Sequence, residues 1–169
     1  HVDESAVAEQ MVQSCRYPPI GRRSMTGALP QVNFAKHAIK DLSEAINAAT
    51  LLILMIETPM AVKNAEAIAA VEGVDALLIG TNDLCMEMGI PGQFNHKVIG
   101  EAYDTVIAAC KKHGKHPGMG GVYDNELTEK YLRMGIRVAQ AGGDTALLMK
   151  AGKERVNFLN SLNLNEKTI

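Results

Sequence analysis

The chain has 169 residues, a formal net charge of −2 and 47% hydrophobic residues, enough for one domain of ordinary size with a real core. That balance, with no long basic run, argues against nucleic-acid binding, and no apolar stretch reaches the roughly 18 to 20 residues that a membrane span needs. No secretory pattern is visible. Cys15, Cys85 and Cys110 lie far apart without metal-type spacing, which fits reduced thiols in a cytoplasmic protein.

The chain opens on His1 and passes at once into a helical pattern, as a piece of a longer protein would. Asp3-Glu4-Ser5 starts a helix with Val7, Met11, Val12 and Cys15 near helical spacing, and Tyr17-Pro18-Pro19 stops it. Residues 20–34 read as a loop containing Gly21, Gly27 and Pro30. Residues 36–48 read as a helix with Ile39, Leu42 and Ile46 on one face. Residues 51–56 are all apolar, a run too short for a typical helix and of the length of a buried strand. Thr58 suits an N-cap and Pro59 the first helical position, so a helix follows over 59–71 and ends near Gly73. A second strand covers 76–80, and 82–88 reads as a short helical turn before the Ile90-Pro91-Gly92 loop. Asn95 is placed to cap a helix over 96–112, with Val98, Ala102, Val106, Ala109 and Cys110 inward and Gly114 as its stop. Residues 117–122 are poor strand formers, yet they sit where the alternation demands a strand. Asp124 caps a helix over 125–134, stopped by Gly135. A strand over 138–142, a helix over 145–159 and a polar tail at 160–169 complete the chain, which is read as a single domain, 1–169. Met86, Met88, Met119, Met134 and Met149 read as core filling.

A helix followed by four βα units with short connections implies a parallel sheet with right-handed crossovers. Four strands are half of an eight-stranded barrel or a small open sheet, and a free-standing half barrel leaves two edges unprotected. Glu57 follows the first strand and Asp83 stands just past the second. A carboxylate directly after an apolar run is how a parallel strand delivers a ligand to the carboxyl face of an α/β sheet. Two carboxylates on neighbouring strands can hold one divalent cation. Taken alone, Glu57 could instead bond to the helix start at Thr58-Pro59, and Asp83 could be an Asx turn or N-cap.

Several motifs stand in one order: Tyr17-Pro18-Pro19-Ile20-Gly21, Ile56-Glu57-Thr58, Val71-Glu72-Gly73-Val74-Asp75, Ile79-Gly80-Thr81-Asn82-Asp83-Leu84, Gly114-Lys115-His116-Pro117-Gly118 and Ala141-Gly142-Gly143-Asp144. As a set, over residues 1–150, they resemble the HpcH/HpaI family of metal-dependent 2-oxo-acid aldolases. The resemblance implies an α/β fold of the (β/α)8 TIM-barrel type, of which this chain would be the C-terminal half. It also implies a carbon–carbon lyase that cleaves or forms 4-hydroxy-2-oxo acids through a pyruvate enolate, with an aldehyde as partner. Glu57 and Asp83 would be the protein ligands of Mg²⁺ or Mn²⁺, with Co²⁺ and Zn²⁺ as alternatives, and hard oxygen donors suit such an ion. The backbone N–H groups of Asn82 and Asp83 match the family's contacts to the carboxylate of a pyruvate- or oxaloacetate-type acid. The general base and the catalytic arginine would lie upstream of His1. Relatives of this barrel are commonly homo-oligomers that exchange the last helix, and the amphipathic run at 146–159 could do the same. The alternatives are an enzyme like citrate lyase β or malyl-CoA lyase, and a catalytically incomplete half barrel with a structural or assembly role.

The chain departs from the family's pattern at three places. Met55 stands where many members have a glutamine, Gly120 where an apolar side chain often lines the pocket, and Gly80-Thr81-Asn82-Asp83 where Gly-Pro-Ala-Asp is common. Arg22 and Arg23 could clamp a carboxylate, but their loop enters a strand from its amino end, which favours a structural or interface role. His1 would lie near the site yet is read as a disordered terminus. His113 suits a helix C-terminus, His37 and His96 the surface, and Asp144 an N-cap shared with Thr145. Gly118, Gly120 and Gly121 fit either a close-approach backbone site or a strand kept slim for packing.

Overall fold

The parallel sheet has the order β1-β2-β3-β4, and every neighbouring pair is also consecutive in sequence. The computed structural model describes residues 1–27 and 29–162. Its strands are β1 (Ile53–Ile56), β2 (Ala76–Gly80), β3 (His116–Gly120) and β4 (Val138–Ala139). The helices are α1 (Ser5–Cys15), α2 (Ile39–Ala49), α3 (Pro59–Lys63), α4 (Ala65–Ala69), α5 (Thr81–Glu87), α6 (Lys97–Lys112), α7 (Asn125–Met134) and α8 (Asp144–Ser161), with a 3₁₀ turn at Pro30–Val32.

Alternation along the strands sorts the sheet into two faces. Leu54 and Ile56 of β1, Leu77 and Ile79 of β2 and Met119 of β3 are buried in one core with Val12 of α1, Ile68 of α4, and Ile99, Tyr103 and Val106 of α6. On the opposite face Ile53 and Met55 are exposed and Leu78 is half-buried. The glycines of β3 follow from this packing: a Cβ at Gly118 would lie 3.3 Å from Leu78, which leans across the strand. Among the described residues no helix is long and apolar enough to cross a membrane.

The amino ends of the strands are tied together by Arg16, a residue that hydrophobic patterning passes over. It is buried, and its guanidinium donates to Asn47 O (2.6 Å), Thr50 O (2.7 Å) and Gly73 O (3.0 Å) while pairing with the Asp75 carboxylate. Asp75 also accepts from Leu52 N at 2.6 Å. One ion pair thus joins the end of α1, the end of α2 and the entries to β1 and β2. Arg23 stacks over Tyr17 at 4.9 Å, beside this junction.

Several sequence expectations need correction. The helix expected over 59–71 is two short helices meeting at Asn64, whose side chain is drawn away to donate to Asp3 O at 2.7 Å. The helix expected over 36–48 starts at Ile39, which is exposed, and buries Leu42. His96, not Asn95, caps α6 by accepting from Val98 N, because Asn95 is engaged by Lys130 Nζ at 3.0 Å; Val98 is exposed and Ile99 takes the inward place. The strand expected over 138–142 is two residues long, since β4 pairs on one side and Gly142 turns to φ +144. Gly143 is the N-cap of α8, and Asp144 accepts from Thr145 N inside the first turn. Helix α8 outruns the expected 145–159 and has no buried residue, which leaves Met149 exposed; Met86 is exposed as well. Of the polar tail, residues 163–169 lie outside the described residues.

Two outcomes test this packing. Arg16→Met keeps an apolar stem but strands Asp75 and three carbonyls, and the variant is expected to lose about 3 kcal/mol in urea unfolding. Cys85 and Cys110 are buried, with burial raising both thiols and pushing Cys110 up to about 11, while Cys15 is half-buried. A thiol reagent added to the native protein should therefore modify Cys15 first and the other two only on unfolding.

Candidate active site

Glu57 leaves the sheet directly after β1, at the carboxyl end. Its backbone is held by its neighbour: Thr58 Oγ1 accepts from Ala61 N at 3.0 Å, capping α3, and donates to the Asp3 carboxylate. The Glu57 side chain is 17% exposed and crosses the end of β2. A Cβ at Gly80 would sit 3.1 Å from Glu57 Cβ and 3.2 Å from Oε2. Gly80 has φ −81, so the position requires space rather than an unusual backbone. His1, read from sequence as disordered, is placed beside this carboxylate, with Nδ1 2.9 Å from Glu57 Oε1.

β2 runs without a break into α5, so Asn82 and Asp83 fall in the first turn of that helix, both exposed. A cavity of about 180 Å³ opens there. Asn82, Asp83, Tyr123 and Gln140 line it above the backbone of Gly80, Gly120 and Gly121, with Met55 and Leu78 as its apolar side. The glycines make room for amides: a Cβ at Gly120 would lie 3.2 Å from Gln140 Oε1, and one at Gly121 would lie 2.6 Å from Asn82 Nδ2. Gly118 therefore serves packing against Leu78 and Gly121 close approach to Asn82, while Gly120 serves both, with Leu78 3.0 Å from its Cβ position. A wider groove of about 1300 Å³ lies between α1 and α4. The smaller cavity is the candidate site because it contains Asp83 and adjoins Glu57 through Gly80.

Glu57 and Asp83 could hold a cation between two adjacent strand ends. Gly80 keeps the path of Glu57 clear, and hard carboxylate oxygens fit a divalent ion of the magnesium type. Among the described residues no group of three or more His, Cys, Asp or Glu side chains gathers in a metal-holding cluster, so the pair is a partial donor set. The other residues singled out from sequence lie elsewhere. His113 is the C-cap of α6, His116 opens β3, and His37 and His96 are exposed.

A family model described as HpcH/HpaI aldolase/citrate lyase matches residues 1–151. The chain belongs to that family. It is 42% identical over 154 residues to a 4-hydroxy-4-methyl-2-oxoglutarate aldolase of Chaetomium globosum, covering 89% of this chain and 57% of that one. It is 33% identical over 152 residues to a 4-hydroxy-2-oxo-heptane-1,7-dioate aldolase of Escherichia coli, covering 90% and 57%. The chain thus spans little more than half the length of the curated relatives it matches. The crystal structure of an HpcH/HpaI aldolase from Desulfitobacterium hafniense superposes with a TM-score of 0.86 at 26% identity, over 98% of this chain and 64% of that one. A family protein from Burkholderia cenocepacia gives 0.83 at 27% identity, over 95% and 63%.

Sequence reasoning missed Tyr123 and Gln140, which stand on loops after β3 and β4 with no motif around them. It also missed Thr81, which is fully buried and hydrogen-bonded to Tyr103 at 2.8 Å. The signal was present in Thr81, a hydroxyl residue between a glycine and two polar residues, though its partner lies 22 positions away. Gly121→Ala should cost about 1–2 kcal/mol in thermal unfolding, because Gly121 has φ +81 and the added methyl meets Asn82.

Proposed function

We infer that this chain carries one side of the active site of a divalent-metal-dependent 2-oxo-acid aldolase, a carbon–carbon lyase. The carrying observation is the glycine at position 80, which leaves Glu57 free to cross from β1 toward the strand end that leads to Asp83. Membership of the HpcH/HpaI family and the relatives' aldolase names support the reaction class. In that reading the four βα units are half of a (β/α)8 barrel, and the uncovered sheet face, with Ile53 and Met55 exposed, is its interior. The general base and a catalytic arginine then come from residues outside this sequence.

The substrate is a 4-hydroxy-2-oxo acid. Cleavage breaks its C3–C4 bond, releasing a carbonyl compound and pyruvate. Glu57 and Asp83 hold the cation, Mg²⁺ or Mn²⁺. When bound, the ion supplies Lewis-acid polarisation of the keto group. The backbone N–H groups of Asn82 and Asp83 orient the acid's carboxylate, in line with the family resemblance. Met55 and Leu78 give the cavity an apolar wall. His1 shares a hydrogen bond with one oxygen of Glu57 and leaves Oε2 free. The last helix supports a homo-oligomer: Leu147, Leu148, Met149, Val156, Phe158 and Leu159 of α8 are all exposed.

The test is pyruvate release from 4-hydroxy-2-oxo acids, and oxaloacetate decarboxylation, with Mg²⁺ or Mn²⁺. Glu57→Gln should lower either rate by more than about 100-fold and abolish Mn²⁺ binding with the fold intact. A Glu57→Gln protein that retains both removes the assignment.

A further inference from the structure

Thr81 is the first residue of α5, two positions before Asp83, and has no exposed surface. Its Oγ1 lies 2.8 Å from the hydroxyl of Tyr103 on α6, also fully buried. The Tyr103 ring stacks on Tyr131 of α7, with centroids 3.7 Å apart and planes inclined by 9°. Tyr131 is fixed in turn, its hydroxyl donating to Phe94 O at 2.7 Å. A buried hydrogen bond therefore connects the first turn of α5 to a rigid aromatic pair on two other helices.

We propose that the Thr81–Tyr103 hydrogen bond is a positioning device that sets the Asp83 carboxylate against Glu57. The proposal rests on the metal-site reading given above. Its physical basis is the buried hydrogen bond at the first residue of α5, two positions before Asp83. A proline at this first helical position would fix φ near −65° by its ring alone. Threonine has no such ring, and the bond of its hydroxyl to α6 adds a restraint from outside the segment. Thr81 has the hydroxyl that a proline lacks, and Tyr103 supplies the partner. Burial pushes the Tyr103 phenol far above its ordinary range, so the hydroxyl keeps its proton at neutral pH. Asp83 itself is exposed, so its own packing cannot place it. The restraint has to reach it through the backbone of Thr81 and Asn82. Thr81 and Tyr103 touch neither cation nor substrate in this scheme and are positioning residues only.

The experiment is a titration of free Mn²⁺ by electron paramagnetic resonance on the full chain, with thermal unfolding measured beside it. Tyr103→Phe keeps the stacked ring and deletes one oxygen. Its Mn²⁺ dissociation constant should rise about tenfold, the scale of one buried hydrogen bond. Thr81→Val deletes the other end of the same bond and should give the same rise, and it decides the matter if Tyr103→Phe fails to fold. The discriminating variant is the double change Tyr103→Phe with Thr81→Pro, which restores the torsional restraint by another route. It should return Mn²⁺ affinity to within about twofold of the parent, whatever its melting temperature. A purely structural bond would instead lower the melting temperature of the single variants with Mn²⁺ affinity unchanged, and that result overturns the proposal. Glu57→Gln, run in parallel, separates the two claims. If Glu57→Gln loses Mn²⁺ and Tyr103→Phe keeps it, only the positioning role fails. If the parent binds no Mn²⁺, or Glu57→Gln binds as the parent does, both fail.

Discussion

The junction at Arg16 is the constraint on which the rest of the structure depends. A single guanidinium collects carbonyls from the end of α2 and from Gly73, and its carboxylate partner, Asp75, also receives the N–H of Leu52. β1 and β2 are parallel and separated by two helices, so no hairpin turn sets their register. The shared Asp75 carboxylate sets it at their entry, and Ile53 then pairs with Ala76 and Ile56 with Ile79. One residue beyond that last pair, Glu57 lies beside Gly80. The position of a catalytic candidate at one end of the sheet is thus decided by an ion pair at the other. This agrees with the usual division of such folds, stability at the amino face and chemistry at the carboxyl face.

The carboxyl end is shaped by missing side chains as much as by those present. Gly80 yields to Glu57, Gly120 to Gln140 and Gly121 to Asn82. Each of the three larger residues comes from a different βα unit, so the glycines act as sockets that let neighbouring units approach. Two of the three need space only; Gly121 also has a positive φ. Substitution at these positions would disturb a side chain at the carboxyl end before it disturbed the core.

Much of this was legible in the sequence because it is local. The run 76–80 bounded by Asp75 and Thr81 marked β2 to the residue, and Thr58-Pro59 marked the start of α3 with its cap. Glu57 and Asp83 stood out because each follows closely on an apolar run, where a parallel strand reaches the carboxyl face of its sheet. What escaped is what depends on partners distant in sequence. Arg16 reads as one more polar residue at a helix end, and only the fold brings Asp75 to it. Asn95 is the better cap on propensity, but its side-chain oxygen is taken by Lys130 on another helix. The pattern in 138–142 is that of a strand, yet β4 has a neighbour on one side only and pairs for two residues. Helix α8 is amphipathic by sequence, yet none of its residues is buried.

The two faces of the sheet differ in a way that bears on the chemistry. The helix-covered face is closed, with Ile56, Leu77 and Ile79 fully buried, and it holds the strand ends rigidly. The other face leaves Met55 exposed and lets water reach the cavity beside Asp83. Carboxylates in open water bind a cation weakly, because each keeps its own hydration and the local dielectric is high. Two carboxylates hold a cation more strongly where the face above them is covered and the dielectric falls. Holding two carboxylates in place without such a cover requires a scaffold that does not depend on it. The Arg16 junction lies at the strand entries and the Thr81–Tyr103–Tyr131 stack among the helices of the closed side, so neither is built from residues of the open face.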